Sequence, residues 1–144
     1  MENNFERFIN AQTTSYEIAL REIQNGKKSS HWMWYIFPQI KDLGRSSTTK
    51  YYAINTKEEA ISYYNHPILG ERLKEITAAF LSIEDKSAFD ILGSPDHHKM
   101  KSCMTLFQSI QEDNDIFFKV LEKYYNGEIC EKTRKQLEIW SQLR

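Results

Sequence analysis

Cysteine is scarce: Cys103 and Cys130 are the only two in 144 residues. Two thiols so far apart make neither a metal motif nor a disulfide framework. Cys103 falls on an apolar helical stripe and reads as a small buried hydrophobe, and the pair reads as reduced thiols of a cytoplasmic protein. Charge of one sign is lacking too. The formal net charge is -1, so no global field draws the chain to nucleic acid or to a membrane. Long apolar runs are missing: the longest, Trp32 to Phe37, falls far short of the ~20 residues that span a bilayer. The start, Met1-Glu2-Asn3-Asn4, is acidic and polar and lacks the apolar core of a signal peptide. No window of four or more residues alternates at period two, which argues against half-buried strands. The nucleophile elbow and the phosphate loop are absent, so neither a serine hydrolase nor a nucleoside-triphosphatase has support. The histidines, His31, His66, His97 and His98, have no i, i+4 pair and no acidic or thiol motif beside them. Neither a metal nor a cofactor is expected.

What the chain does have is helical periodicity. The pattern predicts an all-α fold: one compact domain over residues 1–144 with roughly seven or eight short helices. A domain of this length buries roughly 68–70% of its unfolded surface and needs no staples. Phe5, Phe8 and Ile9 suggest a short opening helix, and Thr14-Ser15-Tyr16-Glu17 has the form of a capping box that starts a second. Gly26 supplies its stop. A short helix is expected through Lys50-Tyr51-Tyr52-Ala53. Thr56-Lys57-Glu58-Glu59 is another capping box. His66-Pro67 ends that helix and starts the next, whose stripe is Leu69, Leu73, Ile76, Thr77 and Phe80. Gly70 lies in the first turns of this helix, where it costs about 1 kcal/mol relative to alanine. Close approach of another backbone is a reason to keep it. Ser87 and then Ser94-Pro95 mark two further starts, and the Asp113 to Asp115 region a third. The last helix runs from about Thr133 through Leu137, Trp140 and Leu143.

The stretch from Ser29 to Ile40 organises the rest. It places two of the three tryptophans, a tyrosine and a phenylalanine in six residues. Side chains that each bury on the order of 150–250 Å² cannot all stay in water. A helical turn capped by Ser29 or Ser30 should end at or before Phe37, because the residue preceding Pro38 is pushed out of the α region. His31, the indole N–H groups, the Tyr35 hydroxyl and the Gln39 amide supply polar edges. Charge is uneven around it. From Gly26 to Tyr52 there are Lys27, Lys28, Lys41, Arg45 and Lys50 against Asp42 alone, a local +4. The stretch therefore has two readings. It is a core wedge whose polar tips bond to backbone, or it is an aromatic wall with a basic collar that suits a small anionic ligand bearing a ring. His31, next to the cluster, is the best single choice for a general acid or base. The start of the helix after Ser94-Pro95, with Lys99 and Lys101, could hold an anion, although Asp96 competes there.

Three blocks carry a resemblance. They are Ser30-His31-Trp32-Met33-Trp34-Tyr35-Ile36-Phe37-Pro38-Gln39 with Leu43-Gly44-Arg45-Ser46, then His66-Pro67-Ile68-Leu69-Gly70-Glu71-Arg72-Leu73, and then Lys99 to Phe107. In these the chain resembles the domain-of-unknown-function family numbered 1810, over nearly its whole length. The resemblance implies a compact, mainly helical domain with no established activity. It departs from the family pattern at Cys103, where a serine is usual, which argues against catalysis there. It also implies a pocket built from His31, Trp32, Trp34, Gln39, Lys101 and Thr105. Arg45 and Ser102, within the same blocks, complete the ligand-binding set, with His31 in the catalytic place. A shorter stretch, Phe8 to Gln12 with the helix from Lys99, is similar to the NAD- and ADP-ribose-associated N-glycosidases and carries no catalytic residue across.

Two functions follow. One is a small cytoplasmic ligand-binding domain or enzyme acting on a nucleotide-like or phosphorylated anion. The other is a non-enzymatic interaction module that offers an aromatic and basic face to a protein partner. The residue types are the same for both, so the sequence leaves the choice open.

Overall fold

A computed structural model of the chain describes residues 5–111 and 115–142. Met1 to Asn4, the Asp113 end of one expected cap, and Leu143 fall outside the described residues. Nine helices and no strand occur among those described: α1 (Glu6–Gln24), α2 (Met33–Ile36), α3 (Ser47–Tyr51), α4 (Lys57–Asn65), α5 (Leu69–Leu81), α6 (Ala88–Leu92), α7 (Asp96–Ser109), α8 (Ile116–Tyr125) and α9 (Glu131–Gln142). The all-α expectation holds, with slightly more helices than the seven or eight anticipated. No described helix is long and apolar enough to cross a membrane.

The opening helix and the one expected at Thr14 are a single rod, α1. Its buried residues Phe8, Gln12, Tyr16, Ala19 and Ile23 form one continuous face. Nothing between Glu6 and Gln24 breaks the backbone, so the Thr14 box lies mid-helix. One residue earlier, the Thr13 hydroxyl bonds back to the Ile9 carbonyl at 2.7 Å, a bond available within a continuing helix. Gly26, at φ +78, ends the run as expected.

Three of the expected caps are in place. Thr56 accepts from the Glu59 N–H at 3.0 Å, Ser87 and Asp90 close a full capping box on α6, and Asp115 accepts from the Phe117 and Phe118 N–H groups. Two others differ. Ser29 and Ser30 do not cap α2, because that helix begins at Met33 with Trp32 at the cap position; the N–H groups of both serines and the Ser30 hydroxyl go to Glu22. Ser94 does not cap α7. That helix starts one residue later with Pro95 at the cap position and no side-chain bond. The orphan N–H of His97 goes instead to the Gly93 carbonyl at 2.9 Å. The short helix expected from Lys50 begins earlier, with Ser46 accepting from Thr49 at 3.1 Å.

Helix α5 lies at the centre, packed against α1, α4 and α8. Its stripe of Leu69, Leu73, Ile76, Thr77 and Phe80 is fully buried. The turn between α4 and α5 is tight. His66 Nδ1 accepts from the N–H groups of Ile68 and Leu69, both at 3.1 Å. This brings Gly70 against the end of α4, where a Cβ would stand 1.9 Å from the Tyr64 carbonyl oxygen. Tyr63 joins the layers: its ring packs on Phe5, Phe8 and Phe107. Its hydroxyl accepts from buried Gln12 at 3.2 Å. Residues Gln39 to Ile54 close back on themselves through a parallel bridge between Ile40 and Ile54. That bridge sets α3 beside α2.

Gly70→Ala should cost about 3 kcal/mol, since backbone cannot retreat from the added methyl as a flexible side chain could. Urea unfolding would show a lower midpoint with the slope unchanged. A midpoint equal to that of the parent would contradict the close approach.

Candidate functional site

The site is framed by one carboxylate. Glu22, near the end of α1, accepts from the N–H groups of Ser29 (2.8 Å) and Ser30 (3.1 Å), from the Trp32 indole (2.9 Å) and from the Ser30 hydroxyl. Burial pushes the Glu22 carboxyl up, but the Ser30 hydroxyl and the N–H groups outweigh it and hold the pKa down at about 2. The clamp fixes the loop between α1 and α2 and seats Trp32 in the core, where it is buried against Phe37.

Helix α2 is a single turn, so its neighbours in sequence point in different directions. Met33 and Ile36 are buried, while Trp34 and Tyr35 are only partly covered. These two face α3 across an open cleft of about 490 Å³ lined by Trp34, Tyr35, Ser47, Thr48, Tyr51 and Tyr52. The rings stand at angles. Tyr35 and Tyr52 lie 5.3 Å apart and Tyr51 and Tyr52 4.8 Å apart, the latter edge to face. Tyr51 is the outer lip, 59% exposed. Burial, followed by Tyr51 and Tyr35, raises the Tyr52 pKa, so its hydroxyl stays protonated. Tyr35 is anchored by its hydroxyl, which donates to Ser15 at 3.0 Å, and by its carbonyl, which accepts from Gln12 at 2.7 Å.

Trp34 and Tyr52 are shared with a small crevice that also holds Gln39, Thr49 and Lys99. Its volume of about 10 Å³ is roughly that needed for one water. The Lys99 ammonium stands 4.7 Å from the centre of the Trp34 ring.

The residues singled out from sequence do not form one pocket. Trp34 and Gln39 meet around the crevice. Trp32 belongs to the core. His31 is exposed, does not line the cleft, and takes part in it only through its carbonyl, which accepts from the Tyr35 hydroxyl at 3.4 Å. Arg45 is exposed on the loop before α3. Lys101, Ser102 and Thr105 lie elsewhere on α7. Lys101 pairs with Glu128 at 3.5 Å beside a separate hollow that also holds His98 and Cys130. Ser102 is buried and bonds Thr133 at 2.7 Å. Thr105 donates to the Lys101 carbonyl and accepts from the Cys130 N–H at 2.9 Å. The start of α7 is filled by its own Asp96, which pairs with Lys28 at 2.8 Å and Lys99 at 3.7 Å.

Lys99 rather than Lys101 meets the aromatic stretch, because residues two apart on a helix point about 200° away from each other. Tyr51 and Tyr52 were missed as site residues. The signal available was a tyrosine pair directly after the basic, hydroxyl-rich loop.

Two other hollows are larger. One, of about 720 Å³, is lined by Lys41, Lys57, Glu58 and Trp140 among others. The second, of about 780 Å³, mixes Lys101 and Lys132 with Glu128 and Glu131. The second balances its charged side chains, while the first has two lysines against one glutamate. The aromatic cleft has neither a carboxylate nor a cation in its lining.

Helices alone and a cleft of angled aromatic rings define a small all-α protein with an open aromatic hollow. The chain belongs to the family described as "Protein of unknown function (DUF1810)", whose model matches residues 2–137. It is also similar to the crystal structure of the conserved hypothetical protein Rv1873 from Mycobacterium tuberculosis. The two are 38% identical, with 92% of this chain and 94% of that chain covered and a TM-score of 0.90. Comparison with curated proteins gave no match.

Glu22→Gln should destabilise the protein by about 1.5–3 kcal/mol at neutral pH, the loss of charge on an acceptor of several bonds. The native pKa is depressed, so this stabilisation is complete above the ordinary value of 4.5 and is lost as pH falls through about 2. Denaturation series between pH 7 and 2 should show parent and variant converging at the acid end. A constant gap across that range would contradict the clamp.

Proposed function

We propose that the protein binds a small anion with a planar ring, nucleotide-like in character, in the cleft of Trp34, Tyr35, Tyr51 and Tyr52. One observation carries this. The partly exposed rings surround a hollow, on a segment whose Arg45 and Lys50 form no ion pair among the described residues. An aromatic face contributes on the order of 1–3 kcal/mol per stacked base. Unpaired cations nearby add attraction that weakens with salt. Ser47 and Thr48 supply hydroxyls at the rim for a sugar or phosphate oxygen.

Binding comes first in this reading, and turnover of the ligand is open to direct assay once a ligand is in hand. A cytoplasmic setting suits it, since both thiols are free and Cys103 is sealed in the core, where burial pushes its pKa well up. The second reading, a protein partner on the same face, is favoured only by the exposure of Tyr51.

A thermal-shift screen against nucleosides, nucleoside monophosphates and sugar phosphates tests the proposal. A ligand at a hundred times its Kd stabilises by about 2.7 kcal/mol, which raises Tm by several degrees. The shift should vanish in Trp34→Ala and Tyr51→Ala and persist in Ile139→Ser, a surface change on α9. Absence of a shift with every ringed anion would contradict the proposal and favour the protein partner.

A further inference from the structure

Lys28, Asp96 and Lys99 form a triad that does not balance its own charge. Asp96 holds Lys28 at 2.8 Å, and their side chains are 9% and 16% exposed. Lys99 is 3.7 Å from the other oxygen of the same carboxylate, with its side chain 21% exposed. That separation is too long for a hydrogen bond, and the Lys99 ammonium donates none among the described residues. Each lysine lies over a tryptophan of the aromatic stretch, Lys28 over Trp32 at 5.1 Å and Lys99 over Trp34 at 4.7 Å. Glu22 lies beyond Trp32 and forms no ion pair with either lysine among the described residues. Its carboxylate is taken by the loop. Two cations share one carboxylate, so one positive charge is left over. It resides on Lys99, the looser and more exposed partner, against the ring that lines the cleft.

A surplus cation that is mostly withdrawn from water is costly unless an anion completes it. Gln39 stands in the same crevice, and its carboxamide makes no hydrogen bond among the described residues. An amide is a donor and an acceptor side by side, which matches the amide-like edge of a nucleobase.

We infer that Lys99 is the residue that selects the ligand's anionic group, with Lys28 and Asp96 as positioning residues that set the charge it presents. This rests on the cleft reading above and names the ligand class more closely: a nucleobase-sized ring carrying a phosphate monoester. The ring lies in the cleft against Trp34, its edge toward Gln39. The crevice is too small for phosphate, so the anion sits at its mouth within reach of Lys99.

Calorimetric titration with AMP and UMP, and with adenosine and uridine, separates the possibilities. The parent should bind the monophosphate more tightly than its nucleoside. Lys99→Met should weaken monophosphate binding roughly tenfold or more and leave the nucleoside unchanged. Asp96→Asn raises the surplus from one charge to two, so it should tighten monophosphate binding even though it breaks two ion pairs. Lys28→Met removes the surplus from a distance and should weaken monophosphate binding alone. It serves in place of Asp96→Asn should that variant fail to fold. A triad that is only structural would make Asp96→Asn and Lys99→Met weaken both ligands alike, which would overturn the inference. Equal affinity of the parent for nucleoside and monophosphate would also overturn it while leaving the cleft in place. No binding of any of the four would overturn the cleft reading as well.

Discussion

The hold of Glu22 on the loop after α1 is the interaction on which the rest depends. Four donors converge on one carboxylate, so the chain from Ser29 to Trp32 has little choice of path. With the Trp32 indole N–H spent on Glu22, its ring can enter the core without a stranded donor. Seating Trp32 fixes the phase of the single turn that follows. Met33 and Ile36 go in, and Trp34 and Tyr35 are left facing α3. The same turn ends where Pro38 demands, with Phe37 out of the α region at φ -124. One aromatic stretch is thus both core and wall. The bridge from Ile40 to Ile54 then returns Tyr51 and Tyr52 to complete the cleft.

Charge follows the same division. Among the described residues the ion pairs between elements join α1 to α4 through Arg7 and Glu59, α7 to the loop before α2 through Asp96 and Lys28, and α7 to the loop after α8 through Lys101 and Glu128. Neither the loop between α2 and α3 nor α3 itself takes part in them, so Arg45 and Lys50 remain as unpaired cations on the segment that carries Tyr51 and Tyr52. A protein stabilised mainly by a buried apolar core has no structural need for that arrangement. The proposed anionic ligand would give it a use. The likeness to Rv1873, itself a conserved hypothetical protein, extends the fold to a second chain. It supplies no activity, so function has to be argued from the cleft.

Local features were legible in the sequence because local physics causes them. The caps at Thr56, Ser87 and Asp115, the stop at Gly26 and the stripe of α5 each depend on residues within a turn or two. Gly70 was readable as a close approach, though not which element approaches. Where the same local signature serves two purposes the sequence misled. Thr14 has the form of a cap, yet the unbroken apolar face of α1 carries the helix through it. Ser29 and Ser30 look like caps, but the helix starts only at Met33, and their N–H groups go to Glu22, seven and eight residues away. Of the candidate site residues read from sequence, Trp34 and Gln39 meet around one crevice and the others lie elsewhere. Choosing Lys101 over Lys99 requires the phase of α7, and joining Tyr51 to Trp34 requires a bridge between residues fourteen apart. Ser102 and Thr105 offered hydroxyls that the fold had already used in the core.

The three tryptophans give a direct measurement. Each indole N–H yields one resolved signal in a nitrogen–proton correlation spectrum, and each sits in a different place: Trp32 on Glu22, Trp34 in the cleft, Trp140 on α9. Titration with a nucleoside monophosphate should move the Trp34 signal strongly through the ring current of a stacked base, and leave those of Trp32 and Trp140 where they are. A still Trp34 signal, or a shift confined to Trp140 beside the hollow of about 720 Å³, would contradict the assignment of the cleft as the ligand site.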